Sequence, residues 1–176
     1  MDACSLLNLY AAGPPLDDLA GLGVRFHVVL QVRRETLFLR GDGPGAPGRV
    51  PVDIESSVQR GTLTQVDLSS QAEADLFLSL ARDGLRDGEA ASAAVAVAKG
   101  FTLLTDEALA RRVMAARKYE HLLLTTPDVL KVWVAAAGVD ADTLREMIRR
   151  IEQRASFTIQ RNHQLKPWWD QAAGRA

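Results

Sequence analysis

The chain has 176 residues, 47% hydrophobic and 24% charged, enough for one domain with a sizeable core. Lys+Arg 21 against Asp+Glu 22 leaves a net charge of −1, which excludes a global attraction to nucleic acid or to a membrane surface, so any such binding comes from a local patch. The sequence holds no apolar run of about 18 residues and no basic-then-apolar leader. Cys4 is its only cysteine, which excludes an internal disulfide and a cysteine zinc site, and the expected compartment is the cytoplasm.

In chain order, residues 5–12 are apolar at Leu6, Leu7, Leu9 and Tyr10 and predict a short helix, stopped by Gly13-Pro14-Pro15. Residues 24–29 alternate and then turn fully apolar, as a strand does. From Leu30 the spacing of Val32, Leu37 and Leu39 predicts a helix that carries Glu35. The Gly- and Pro-rich run at 41–48 holds neither helix nor strand and predicts an exposed loop, an insertion within one domain.

Beyond it, residues 54–60 read as a weak helix and 64–68 as a strand. Ser69 or Ser70 caps a helix through Ala81, with Ala72, Leu76, Phe77 and Leu80 on its apolar stripe. Asp87-Gly88-Glu89-Ala90 opens an alanine-rich helix that ends at Gly100. Residues 101–104 form a buried-type strand, followed by a helix to Arg117, and 121–124 form another strand. Pro127 begins the next helix, and Asp140 or Asp142 caps one more through Arg154. Helices alternating with short apolar strands predict an α/β fold, a mainly parallel sheet covered on both faces.

Open α/β sheets bind ligands outside the carboxyl ends of their strands. Asp106 falls there, directly after the strand at 101–104. Glu89 lies in the first turn of its helix, where amide dipoles favour negative charge, and Asp2 stands just before the first helix. Each of these acids also fits a plain helix-terminal role, so position alone leaves both readings open. The direction in which Glu35 faces is not fixed by the sequence.

Three segments taken together, Asp2-Ala3-Cys4-Ser5-Leu6-Leu7-Asn8-Leu9, Asp87-Gly88-Glu89-Ala90-Ala91-Ser92-Ala93 and Leu103-Leu104-Thr105-Asp106-Glu107-Ala108-Leu109-Ala110-Arg111, resemble a PIN domain over residues 1–130. The resemblance implies a three-layer α/β/α fold in which a short parallel sheet presents three or four acids that bind magnesium or manganese for RNA cleavage. Many members are the VapC-like toxins of toxin–antitoxin pairs. By motif position Asp2 is the first acid, Glu89 the third and Asp106 the fourth. Glu35 is the best match for the second, with Asp53 and Glu55 as alternatives if the loop shifts the alignment. The family's first strand precedes its first acid, whereas here only Met1 does, which implies an upstream start or a shortened central strand. Cys4 stands where the family usually has serine or threonine near the metal.

The implied division is a nuclease domain over 1–139 and a C-terminal helical extension over 140–176. Mg²⁺ or Mn²⁺ suits such a carboxylate cluster, because hard cations neutralise it and keep waters for attack on phosphorus. The partners implied are RNA, an antitoxin protein and a second copy in a homodimer, with no membrane. Arg111 and Arg112, close after Asp106, are candidates for a substrate phosphate. The alternative is a degenerate PIN-like module that binds RNA or protein without cleaving.

Overall fold

The computed structural model describes residues 1–35, 37–43 and 45–175. Its elements are α1 (Ala3–Ala12), α2 (Pro15–Gly21), β1 (Phe26–Val29), α3 (Leu30–Arg33), β2 (Phe38–Leu39), β3 (Val50–Pro51), α4 (Ile54–Gln59), β4 (Leu63–Val66), α5 (Gln71–Arg82), α6 (Asp87–Lys99), β5 (Leu103–Leu104), α7 (Ala108–Ala116), β6 (Leu123–Leu124), α8 (Thr126–Ala137), α9 (Ala141–Arg154) and α10 (Lys166–Ala172). They fall into two compact units. One comprises residues 1–6, 25–35 and 53–125; the other comprises 7–24, 36–52 and 126–176. Helix α1 begins in the first and continues in the second.

The first unit is α/β with parallel strand pairs. β1 pairs with β4 from Phe26↔Leu63 to Val29↔Val66, and β5 pairs with β6 through Leu103↔Leu123 and Leu104↔Leu124. Two residues bridge these pairs. The Met1 ammonium donates to the His27 carbonyl at 2.9 Å, and the Asp2 amide donates to the Leu104 carbonyl at 3.2 Å. Met1-Asp2 is thereby hydrogen-bonded to β1 on one side and to β5 on the other.

Around that sheet, α6 is buried from Gly88 to Ala96. Its small residues let neighbours approach closely, and Ala90, Ala93, Ala94 and Ala96 share a core cluster with Leu80, Leu85, Leu103, Ala110 and Met114. Both ends of the α5–α6 pair are well terminated. Ser70 and Glu73 form a reciprocal capping box on α5 (3.2 and 3.0 Å), and Gly100 closes α6 with φ of 66°, a left-handed conformation that favours glycine.

The second unit carries α2, α8, α9, α10 and the antiparallel pair β2–β3, whose register is Phe38↔Pro51 and Leu39↔Val50. The exposed loop expected at 41–48 connects those strands, and its described residues contain neither helix nor strand. Trp133 is buried and donates its indole N–H to Asp18 at 2.9 Å, which ties α8 to α2. Among the described residues, no helix is long and apolar enough to cross a membrane.

The expected helix from Leu30 through Leu39 is corrected. It stops at Arg33, and Leu37 and Leu39 are buried along an extended segment instead. Their spacing of two is the strand period, and the Val52 amide extends the ladder by donating to the Leu37 carbonyl at 2.9 Å. Glu35 thus lies beyond a helix end. Likewise, only Leu123–Leu124 of the strand expected at 121–124 is extended, after a 3₁₀ turn at Glu120–Leu122.

Candidate active site

Asp2, Glu35, Glu89 and Asp106 all belong to the first unit. Asp2 follows Met1 at the head of α1, where its Oδ1 accepts the Ser5 amide at 2.8 Å and serves as the helix cap. Asp106 follows β5, and its Oδ2 accepts the Ser5 hydroxyl at 3.1 Å. One serine thus joins the two aspartates at the carboxyl ends of adjacent extended segments. The hydroxyl near the acids comes from Ser5, whereas the Cys4 thiol donates to Glu107 Oε1 at 2.7 Å. Burial and that hydrogen bond push the Cys4 thiol well up from its ordinary value.

Asp2 is 2% exposed, and its Oδ2 is buried without a hydrogen-bond partner. The helix cap accounts for one oxygen of this carboxylate and leaves the other unexplained. Burial raises its pKa from 3.8 to about 6; hydrogen bonds from the Thr105 hydroxyl and the Ser5 amide oppose the rise, the charge of Asp106 adds to it, and that of the Met1 ammonium opposes it.

Glu89 has different company. Its Oε2 accepts the Arg86 amide at 3.1 Å, and its Oε1 accepts Arg86 Nε and Nη2 at 2.9 and 2.5 Å. Arg86 Nη2 also reaches Glu107 Oε1 at 3.4 Å. The guanidinium is held further toward its charged form, first by the hydrogen bonds to Glu89. Glu35 is exposed, with its carboxylate over the backbone of Gly88 in the first turn of α6. Burial raises its pKa, with Arg86 opposing and Glu89 adding to the shift.

The acids therefore lie in two groups, Asp2 with Asp106, and Glu89, Glu107 and Glu35 around Arg86. Among the described residues, no three His, Cys, Asp or Glu side chains are grouped to hold a metal ion. The other candidates for the second acid are engaged elsewhere: Asp53 caps α4 through Ser56, and Glu55 pairs with Arg33. Arg111 is half-buried and Arg112 exposed on α7, the helix after Asp106. Three contributors were not singled out from the sequence. Ser5 and Glu107 lie inside the quoted motif segments and Arg86 directly before one, with no further signal in the sequence.

The contact between Glu35 and Gly88 is open to test. A Cβ at Gly88 comes within 2.6 Å of Glu35 Oε1 and 3.1 Å of Val32 Cγ2. The carboxylate end is flexible and can move, while alanine improves helix propensity by up to about 1 kcal/mol. Gly88→Ala is therefore expected to change stability by less than about 1 kcal/mol while displacing Glu35, measured by denaturant unfolding and by the pH titration of Glu35 in NMR.

Compared with protein-family models, curated proteins and solved structures, the chain matches none.

Proposed function

We propose that the protein is a metal-dependent endoribonuclease of PIN type, hydrolysing an RNA phosphodiester with water to a phosphomonoester and a free hydroxyl. The observation that carries this reading is the unpartnered, buried Oδ2 of Asp2, on a carboxylate that Ser5 links to Asp106 beyond the strand ends. A buried carboxylate oxygen without a donor is costly, a cost relieved by a proton or by a cation. Mg²⁺ and Mn²⁺ suit such a pair, because these ions take one or two carboxylates and keep their remaining waters. Asp2 and Asp106 are the residues that would hold the ion, and when bound it supplies an activated water and charge neutralisation at phosphorus. Ser5 orients Asp106, Arg111 and Arg112 are the groups for a substrate phosphate, and Glu35 and Glu89 add acidic groups in the same unit. An antitoxin segment covering these acids, a homodimer and a cytoplasmic site of action belong to the same reading.

The test is incubation of the protein with single-stranded and structured RNAs in Mn²⁺, Mg²⁺ or EDTA, beside Asp106→Asn. Cleavage is expected to require the metal and to fall at least about tenfold in the variant. Metal-independent cleavage, or full activity in Asp106→Asn, overturns the assignment. A second reading is favoured by one observation, that Glu89 is already neutralised by Arg86. On this reading the protein is a PIN-like module that binds RNA or protein without cleaving, and the same assay then gives binding with no products in any metal.

A further inference from the structure

We propose that these acids take one divalent ion, on Asp2 and Asp106, and that the guanidinium of Arg86 supplies the second positive charge, on Glu89 and Glu107. This rests on the metal reading above and names which of its carboxylates the ion occupies. The two groups of acids differ in what satisfies them. Glu89 has both oxygens engaged, Oε2 by the Arg86 amide at 3.1 Å and Oε1 by Arg86 Nε and Nη2 at 2.9 and 2.5 Å. Glu107 Oε1 accepts the Cys4 thiol at 2.7 Å and stands 3.4 Å from Arg86 Nη2. Asp2, in contrast, keeps a buried oxygen with no donor.

A metal entering at Glu89 has to break charge-assisted hydrogen bonds from a group that never loses its charge. An ion entering at Asp2 breaks none at Oδ2. Position in the chain makes the pairing local. Arg86 occupies the cap position of α6, where an arginine has no acceptor to offer the helix amides. Its side chain instead turns back on Glu89, three residues on. It remains 73% exposed there, so its outer edge faces water and is open to a phosphate oxygen. Two-metal sites use their second ion to stabilise the leaving oxygen; here that charge is covalently part of the chain.

The experiment counts metal ions on the full chain, using calorimetry and the free-ion signal of Mn²⁺ in electron paramagnetic resonance. The proteins are wild type, Arg86→Ala, Arg86→Lys and Asp2→Asn, each checked for folding by circular dichroism. Arg86→Gln replaces Arg86→Ala if the latter does not fold. The wild type is expected to bind one Mn²⁺ per chain, the neutral Arg86 variant to gain a second and weaker ion, and Arg86→Lys to return to one. Two ions on the wild type overturn the proposal, as does a neutral variant that still binds one ion with unaltered affinity. Asp2→Asn separates the two levels of inference. If it binds Mn²⁺ like the wild type, or if no protein binds the ion, the metal reading itself fails and this proposal falls with it. If Asp2→Asn abolishes binding while the Arg86 variants match the wild type, only the role of Arg86 is lost.

Discussion

The metal-free protein is expected to lose stability as pH rises from about 4 to about 6, and Asp2→Asn to remove that loss. The carboxyl titrates at 3.8 in the unfolded chain and at about 6 in the fold. Between those values the folded state holds a proton that the unfolded chain has released. Stability falls with pH wherever the folded state binds more protons. The span corresponds to about 3 kcal/mol at 1.36 kcal/mol per unit, complete above pH 6 and absent below 3.8. Other carboxylates work in the opposite sense and in a lower window. Hydrogen bonds from Ser69 hold Glu73 at about 2, and those from Arg149 and Arg150 hold Glu146 at about 2, so both contribute stability that is lost as pH falls below their ordinary 4.5. Subtracting the Asp2→Asn profile from the wild type removes the common lower limb and reports Asp2 together with the buried Met1 ammonium, whose pKa the Asp2 charge raises.

Asparagine keeps an oxygen for the Ser5 amide, so the cap on α1 survives and the substitution acts on charge. Denaturant unfolding in EDTA across pH 4 to 8 reads the effect. Parallel profiles for the two proteins place the Asp2 carboxylate in an ordinary environment and remove the main support for a cation there. Added Mn²⁺ is expected to restore the lost stability above pH 6 in the wild type alone, because the ion binds the ionised, folded carboxylate.

The parts of the fold legible in the sequence are those with local punctuation. Ser70 and Glu73 start α5, Gly100 ends α6, and Asp140 caps α9 by accepting the Asp142 and Thr143 amides. Each signal is a residue type that the backbone needs at one position. Around residues 30–39, apolar spacing served a helix and a strand equally, since Val32, Leu37 and Leu39 are too few to fix a period. Helix α2 was hidden behind Pro14 and Pro15, read as a stop although proline also suits a first helical turn.

The site was legible as positions and illegible as partnerships. Asp2, Glu89 and Asp106 stand where strand ends and helix starts gather acids. Whether two acids share a cation or each has its own partner depends on side-chain direction. Arg86 is the instructive case. An arginine before a helix carries no signal of its own; Glu89 caps the helix by reaching back to the Arg86 amide, which brings the guanidinium along. The functional and structural readings of these acids are also compatible, because the first oxygen of Asp2 caps α1 while the second has no hydrogen-bond partner.

Trp169→Ala is expected to cost about 3–5 kcal/mol, among the largest effects of a single substitution in the second unit. The side chain is fully buried, its ring stands edge-on to Phe157 at 5.4 Å, and its indole N–H donates to Glu152 at 2.8 Å. Trp169→Phe keeps most of the volume and loses the hydrogen bond. Glu152 retains Arg175 at 2.9 and 2.8 Å, so it is not left unpaired, and the cost is expected to be about 1–2 kcal/mol. Trp168 is only half-buried, and Trp168→Ala is expected to cost less than about 1.5 kcal/mol. This ordering bears on function, because arginines beside tryptophans also suit single-stranded RNA. In α9 the arginines are engaged: Arg145 pairs with Asp142, Arg149 and Arg150 with Glu146, and Arg154 donates to the Arg40 carbonyl. With the α9 arginines engaged and one of its two tryptophans fully buried, the C-terminal segment reads as structure, and the proposed RNA chemistry rests on the acids of the first unit. Unfolding measurements on the three variants test the first statement, and fluorescence anisotropy with single-stranded RNA tests the second. Trp168→Ala is expected to leave RNA affinity unchanged; a marked loss transfers RNA binding to the C-terminal segment.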